Sequence, residues 1–500
     1  MAKVNRNLKI EKLKGGLSEK ECVKIDEFFS KLNETINLSL LNSTLLNEHF
    51  IDGFEYYLEK GKSIDQICKI LDIKNLGTFY SENQNQYYSL DNAAIVYPLG
   101  MKFGQMPMFR LAVELKEEVE PSLLQLALDF TIKRFPTFSA VIKNGFFWHY
   151  LETTNYIPLV EKEKDIPCKP ISLLMRTYRS FRVLYYKNRI SVEYFHTITD
   201  GLGGMAFLKA LLKEYLILKG KRISDDGTII NINDEVKEEE TANEFKKAKG
   251  AAALSTFVDK RSLQLDGKVS PFNLTRILHL EMDSRELKKV ASSYNGTVTA
   301  YITALEFLAA RAAIKKNNGI FNIEIPVNMR KFNGSKTLRN YSMYFNASMN
   351  LSALPESRKE LVEEIGKQIK EKGDEKTMNQ MMMTTGKVIT SLSFVPLFLK
   401  VCLMQVVYGY LGNSIIGCTL SNLGVIDLPK GMKETVNKVF FVFPPGRPNR
   451  VTTSLATFND RVIFTIIKNC HNQTFENELY RLLKEDGLEI ECEGSVEYES

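Results

Sequence analysis

His196 and Asp200 are the two side chains whose types and spacing could do chemistry together. They stand in Ser191 to Gly204, which reads SVEYFHTITDGLGG. A neutral imidazole accepts a proton near pH 7, so a histidine held at the end of a rigid element can act as a general base. An aspartate one helical turn further on could share that work or brace the turn. Gly201 follows it directly and could supply a backbone angle that a side chain forbids, or close packing under the histidine. The chain contains no GxSxG elbow, so it offers no serine nucleophile of that kind. Its histidines, His49, His149, His196, His279 and His471, lie far apart, with neither HExxH nor CxxC, and no metal site is expected.

The flanking pattern supplies elements that could hold these residues. Ser191-Val192-Glu193-Tyr194-Phe195 alternates like a strand, with Val192 and Tyr194 on one side. Met205 to Leu216 reads as a helix with its apolar face inward. The histidine therefore falls in a polar turn between a strand and a helix, where a rigid scaffold can present it to a ligand. Gly201 to Ala206 also fits G-x-G-x-x-A, the dinucleotide fingerprint, with Asp225 beyond it. Several residues separate the strand from Gly201, whereas a dinucleotide turn follows its strand tightly. An NAD-dependent dehydrogenase is thus a remote alternative.

Composition bounds the rest. Five hundred residues, 44% hydrophobic and 25% charged, suffice for several domains or one large two-lobed unit. A net charge of +6, from 66 basic and 60 acidic side chains, does not point to nucleic acid. Seven dispersed cysteines read as reduced thiols in a cytoplasmic protein. The apolar stretch Leu392 to Leu411 carries Pro396, Lys400 and Gln405, which argues against a membrane span and for a buried or groove-lining helix. Residues 1–80 read as a helical extension, opened at Ser18-Glu19-Lys20-Glu21 by a capping box, with Val23, Phe28, Leu32 and Ile36 recurring along the first helix. A strand at Met108 to Leu115, a helix from Pro121 to Phe135 and a hairpin through Phe138 to Ile142 and Phe146 to Leu151 follow. Lys219 to Gly250, with mixed charges, reads as a solvated linker.

His196 to Gly201 matches, position for position, the HxxxDG signature of the CoA-dependent acyltransferase superfamily. That group includes chloramphenicol acetyltransferase, nonribosomal-peptide condensation domains and bacterial alcohol acetyltransferases. Phe195 stands where condensation domains carry a second histidine, so the chain most resembles the free-standing alcohol acetyltransferases. Pro326, Val327 and Arg330, followed by Asn340 and Tyr341, are similar to the superfamily's PV-x-x-R and N-(Y/F) segments. Ser421-Asn422-Leu423-Gly424 resembles its SN-x-G strand.

The resemblance implies an α/β fold of two similar lobes, each a mixed β-sheet flanked by helices as in chloramphenicol acetyltransferase. The corresponding segments are a helical N-terminal extension at 1–80, a first lobe at 81–218 carrying HxxxDG, a charged linker at 219–270 and a second lobe at 271–500. It implies an O-acyltransferase that moves an acyl group, acetyl above all, from acyl-CoA to an alcohol. His196 is the implied general base, with no covalent acyl-enzyme. Asp200, Gly201 and Arg330 are implied supports of the site, the aspartate turned away from it and paired with an arginine. Ser421 and Asn422 are candidates for oxyanion or tunnel lining. Acyl-CoA enters as co-substrate, with no permanently bound cofactor, and the acceptor is a small alcohol or amine. A monomer without nucleic-acid partner or membrane span is expected. A condensation-like module fed by a carrier protein, or a non-catalytic binding relative, is the alternative.

Overall fold

The structure is a computed structural model that describes residues 2–36, 39–81, 86–100, 106–154, 156–171, 180–248, 252, 259–269, 276–407, 415–446 and 449–494. Its strands are β1 (Tyr87–Ser89), β2 (Met108–Leu115), β3 (Ala140–Asn144), β4 (His149–Thr153), β5 (Val160–Lys162), β6 (Phe181–Tyr186), β7 (Arg189–Phe195), β8 (Arg276–Asp283), β9 (Ile320–Asn328), β10 (Ser342–Asn350), β11 (Cys418–Val425), β12 (Val436–Val442), β13 (Val451–Phe458), β14 (Arg461–Lys468) and β15 (Glu491–Gly494). They form two large mixed sheets and a small one. A five-stranded sheet runs β12-β2-β7-β6-β5, a seven-stranded sheet β10-β9-β11-β13-β14-β8-β15, and a three-stranded sheet β1-β4-β3.

β7, which leads into His196, is the central strand of the five-stranded sheet. It lies antiparallel to both β2 and β6. Ile190 to Phe195 are all buried, so the strand is covered on both faces rather than one. On one face Tyr194 packs among Phe109, Phe138 and Phe207. On the other, Glu193 is buried only because cations meet it. Arg110 Nε donates to its Oε1 at 2.7 Å and Arg182 Nε to its Oε2 at 2.6 Å. Arg110 also pairs with the buried Glu163. A charge can be held in a dry sheet only when paired in this way.

The N-terminal helix Leu40–Glu59 packs against the helix Pro121–Thr131 of the first lobe, and Glu19–Thr35 packs on Leu40–Glu59 in turn. Ile25, Phe28, Phe29 and Leu32 point inward, whereas Val23 is half exposed. Phe50 meets Phe28 and Phe130, and His49 Nδ1 lies 2.7 Å from the buried Asp129 carboxylate. Tyr57 Oη donates to the Leu218 carbonyl at 2.6 Å, at the end of the helix that follows the His196 turn. The extension thus shares a core with the first lobe.

Several segments differ from the sequence expectation. The strand β12, inside the expected second lobe 271–500, crosses over and pairs antiparallel with β2. Its Val439 and Phe441 belong to the first lobe's core. The linker is not wholly solvated: Glu240 is buried against Arg134, with two hydrogen bonds of 2.7 and 2.8 Å, and Phe245 and Leu265 enter the second core. The apolar stretch after Leu392 forms the helix Leu397–Val407, buried at Leu397 and Lys400 but exposed at Phe398, Leu399 and Leu403. Residues 408–411 of that stretch lie outside the described residues. Among the described residues no helix is long and apolar enough to cross a membrane.

Because the extension shares the first lobe's core, damage there should destabilise that lobe. Phe50→Ala is expected to cost about 3–5 kcal/mol in chemical denaturation, monitored through the lobe's Trp148. An unchanged Trp148 transition would show that the extension unfolds independently.

Candidate active site

His196 closes β7 and lies half-buried in the turn Thr197–Asp200. Its backbone N–H donates to the Pro107 carbonyl at 2.9 Å, which ties the turn to the start of β2. Its ring stacks on Tyr97 with centroids 4.8 Å apart, and meets Phe109 edge-on at 5.1 Å. Tyr97 comes from the short helix Val96–Gly100.

The decisive contact comes from the second lobe. His196 Nδ1 lies 2.8 Å from Asn340 Oδ1. Which end of the Asn340 amide faces the imidazole follows from its other neighbours. The Nδ2 group has the Asp91 carboxylate and the Thr197 carbonyl, each at 3.4 Å, and both are acceptors. The amide nitrogen must point to them, so the oxygen faces His196. A neutral His196 then carries its proton on Nδ1 and leaves the Nε2 lone pair available. Asp91 is itself fixed: it accepts from the Ala94 N–H at 2.7 Å and lies 3.6 Å from the buried Arg339 guanidinium.

Asp200 is occupied elsewhere. Its Oδ2 accepts from Arg330 Nη1 at 2.7 Å and from the Tyr341 N–H at 2.8 Å. Its Oδ1 caps the helix Gly201–Leu218 by accepting from the Gly203 N–H at 3.1 Å. Burial alone would raise its pKa, but the Arg330 charge and these donors hold it below the ordinary aspartate value. Arg330 also donates to the carbonyls of Thr337, at 2.9 Å, and Arg339, at 2.6 Å. One guanidinium thus fastens the segment 337–341, which carries Asn340, to the turn that carries His196. Thr199 adds a second fastening, donating to the Leu338 carbonyl at 2.7 Å.

The glycines explain the closeness. Gly203 lies under Leu338, and a Cβ there would stand 2.0 Å from that carbonyl oxygen. Gly201 does not adopt a left-handed angle; a Cβ on it would come within 2.9 Å of a Leu423 methyl. Close packing between lobes is therefore its role, not a special backbone conformation. The same geometry removes the dinucleotide reading. The strand before the glycines has antiparallel neighbours, and the helix N-terminus is filled by Asp200 and the 337–341 segment.

Ser421 and Asn422 lie on β11, which reaches the His196 turn through Leu423. Asn422 is exposed and engaged locally: its Nδ2 donates to Thr299 Oγ1 at 3.1 Å, and its Oδ1 accepts from the Gly424 N–H at 2.8 Å. Among the described residues neither Ser421 nor Asn422 hydrogen-bonds to His196. Sequence reasoning singled out Asn340 only as part of a segment, and it missed Tyr97 and Asp91. No motif marks Tyr97 or Asp91, since each acts by where the fold brings it.

The sequence pattern of the alcohol acetyltransferase family matches residues 182–484, which include every residue of this site except Asp91, Tyr97 and Phe109. The chain belongs to the alcohol acetyltransferase family. Solved structures of acetyltransferases and of a condensation domain share its fold. Trichothecene 15-O-acetyltransferase TRI3 from Fusarium sporotrichioides superposes with a TM-score of 0.54 at 11% identity, over 81% of this chain and 94% of that one. TRI101 of F. graminearum, crystallised with coenzyme A and T-2 mycotoxin, gives 0.53 at 10% identity, over 81% and 99%. The first condensation domain of the calcium-dependent antibiotic synthetase gives 0.53 at 13% identity, over 80% and 96%. A comparison with curated proteins found no match. This alcohol acetyltransferase family member keeps its histidine and aspartate on two hydrogen-bond networks that meet in the segment 337–341.

The Asp200–Arg330 pair sets two expectations. Asp200→Asn and Arg330→Met should each cost about 3–5 kcal/mol, and the double variant less than their sum. The depressed Asp200 pKa adds stability above the ordinary carboxylate range and loses it as pH falls below that range. Denaturant midpoints measured through the acid range should therefore fall more steeply for the wild type than for Asp200→Asn.

Proposed function

We propose that this protein transfers an acyl group, acetyl above all, from acyl-CoA to the hydroxyl of an alcohol, with His196 as general base. The observation that carries this reading is the hydrogen bond from His196 Nδ1 to Asn340 Oδ1, which leaves Nε2 as the basic atom. The acceptor hydroxyl donates to Nε2. As its oxygen attacks the thioester carbonyl carbon, its proton passes to the imidazole. The tetrahedral intermediate collapses with loss of the CoA thiolate, which takes that proton back from the imidazolium. Products are the ester and free CoA, and His196 returns to its neutral form. No acyl-enzyme is formed.

Asn340 is a positioning residue in this scheme: it fixes the tautomer and the ring plane, while Tyr97 stacks on the ring face. Asp200, Gly201 and Arg330 hold the turn and take no part in proton transfer. Ser421 is the remaining candidate for a donor to the oxyanion, since the Asn422 amide is already engaged by Thr299 and by the Gly424 N–H. The unpaired cysteines support a cytoplasmic setting.

Free thiol release from acetyl-CoA, followed over a panel of alcohols and amines, tests the proposal. Release should need an alcohol. His196→Ala should lower it by about 10²- to 10⁴-fold while the protein stays folded. Asn340→Leu should lower kcat and leave KM for acetyl-CoA nearly unchanged. Full activity in His196→Ala would remove the proposed base, and release only with amines would replace O-acylation with N-acylation.

A further inference from the structure

The hairpin between β3 and β4 does not end as the sequence suggests. Phe146 and Phe147, expected inside a strand, stand at its tip, where the Gly145 N–H donates to the Trp148 carbonyl at 3.0 Å. Phe146 is 74% exposed and Phe147 39%. The helix Leu397–Val407 seats against this tip. The Leu397 N–H donates to the Phe146 carbonyl at 2.9 Å, and Lys400 Nζ to the Phe147 carbonyl at 2.8 Å. Lys400 also lies over the ring of Trp148, 3.2 Å from its centroid. With its lysine turned inward, the helix shows an apolar outer face. Phe398 is 67% exposed, Leu399 48%, Leu403 49%, and Phe394 just before the helix 88%. A water-facing helix side ordinarily carries polar residues. Here hairpin tip and helix join into one apolar surface of a kind that marks an interaction site.

We propose that this face docks on a lipid bilayer bearing anionic headgroups. Charge selects that occupant. From Lys376 to Ile426 the sequence contains no acidic residue, while Lys376 and Lys387 are exposed on the helix Glu375–Ser391 that precedes this face in the chain, Lys387 seven residues before Phe394. Aromatic and leucine side chains inserted beside lysines match the boundary between headgroups and acyl chains. A second copy of this chain would bring the same lysines face to face, with no acidic group from this segment to meet them. The helix is too short to span a bilayer and would lie in its surface.

The face also adjoins the site. The helix Leu397–Val407 packs against the helix Val96–Gly100, whose Tyr97 stacks on His196. A lipophilic alcohol dissolved in the bilayer would thus have a short route to the imidazole. This last step rests on the acyl-transfer reading; the docking does not.

Trp148 is the chain's single tryptophan and sits at the edge of this face, so its fluorescence reports docking directly. The full-length protein, without acyl-CoA, is mixed with vesicles of phosphatidylcholine alone or with phosphatidylglycerol, at low and high salt. Binding is read by co-sedimentation and by Trp148 emission. The proposal expects partition onto the anionic vesicles, a blue shift of Trp148, and weakening by salt. The double variant Phe394→Ser with Phe398→Ser, whose positions are exposed, should keep the wild-type melting temperature and lose at least about tenfold in partition. Three results would overturn the proposal: a wild type that binds neither vesicle, a double variant that binds as well as the wild type, or a concentration-dependent dimer that the double variant abolishes in the absence of vesicle binding. Vesicle binding by a protein inactive in thiol release would refute the acyl-transfer reading and leave the docking face standing.

Discussion

The Asp200 carboxylate is the constraint on which the rest depends. It is buried, and it accepts from a guanidinium and a backbone N–H of the second lobe and from the first turn of a helix in its own. A buried anion is tolerable only with such partners, and removing any of them leaves an uncompensated charge. The cost of breaking this set keeps the segment 337–341 against the His196 turn. Asn340 rides on that segment, so the orientation of the imidazole is set at one remove by an ion pair that never touches it.

This arrangement explains why the histidine and the aspartate can share a six-residue signature and still do different work. The turn between them reverses their directions. His196 stacks on Tyr97 and meets Asn340, whereas Asp200 meets Arg330 and the Tyr341 N–H. Gly203 lets the seam close to carbonyl contact, and Gly201 lets β11 reach the turn through Leu423. In the proposed scheme the spacing serves as a scaffold for one functional group rather than a triad.

The two-lobed α/β architecture was legible through the resemblance to the CoA-dependent acyltransferase superfamily, because the motif segments that carry it are short and local. Register and crossover are not local. Nothing in Val436–Val442 says that it will leave its own half and extend the sheet of β2. Glu193 read as the polar side of an alternating strand, and its burial depends on Arg182 across the β6–β7 hairpin and on Arg110, 83 residues away. Phe146 and Phe147 read as strand by composition, whereas the Gly145 turn places them at an exposed tip. Asn340 was visible as a letter in a segment, but its hydrogen bond to His196 spans 144 residues. Asp91 and Tyr97 carried no signal, since an aspartate opening a turn and a tyrosine in an apolar run have ordinary local explanations.

The central claim is that His196 presents Nε2 as its basic atom because Asn340 holds the proton on Nδ1. The most direct measurement is the ¹⁵N chemical shift of the His196 imidazole nitrogens in the free protein, with the His196→Ala spectrum used for assignment. The account predicts a neutral ring protonated at Nδ1 and bare at Nε2, with that preference weakened in Asn340→Leu. A ring protonated at Nε2 in the wild type would contradict it, because the atom proposed to accept the acceptor's proton would already carry one.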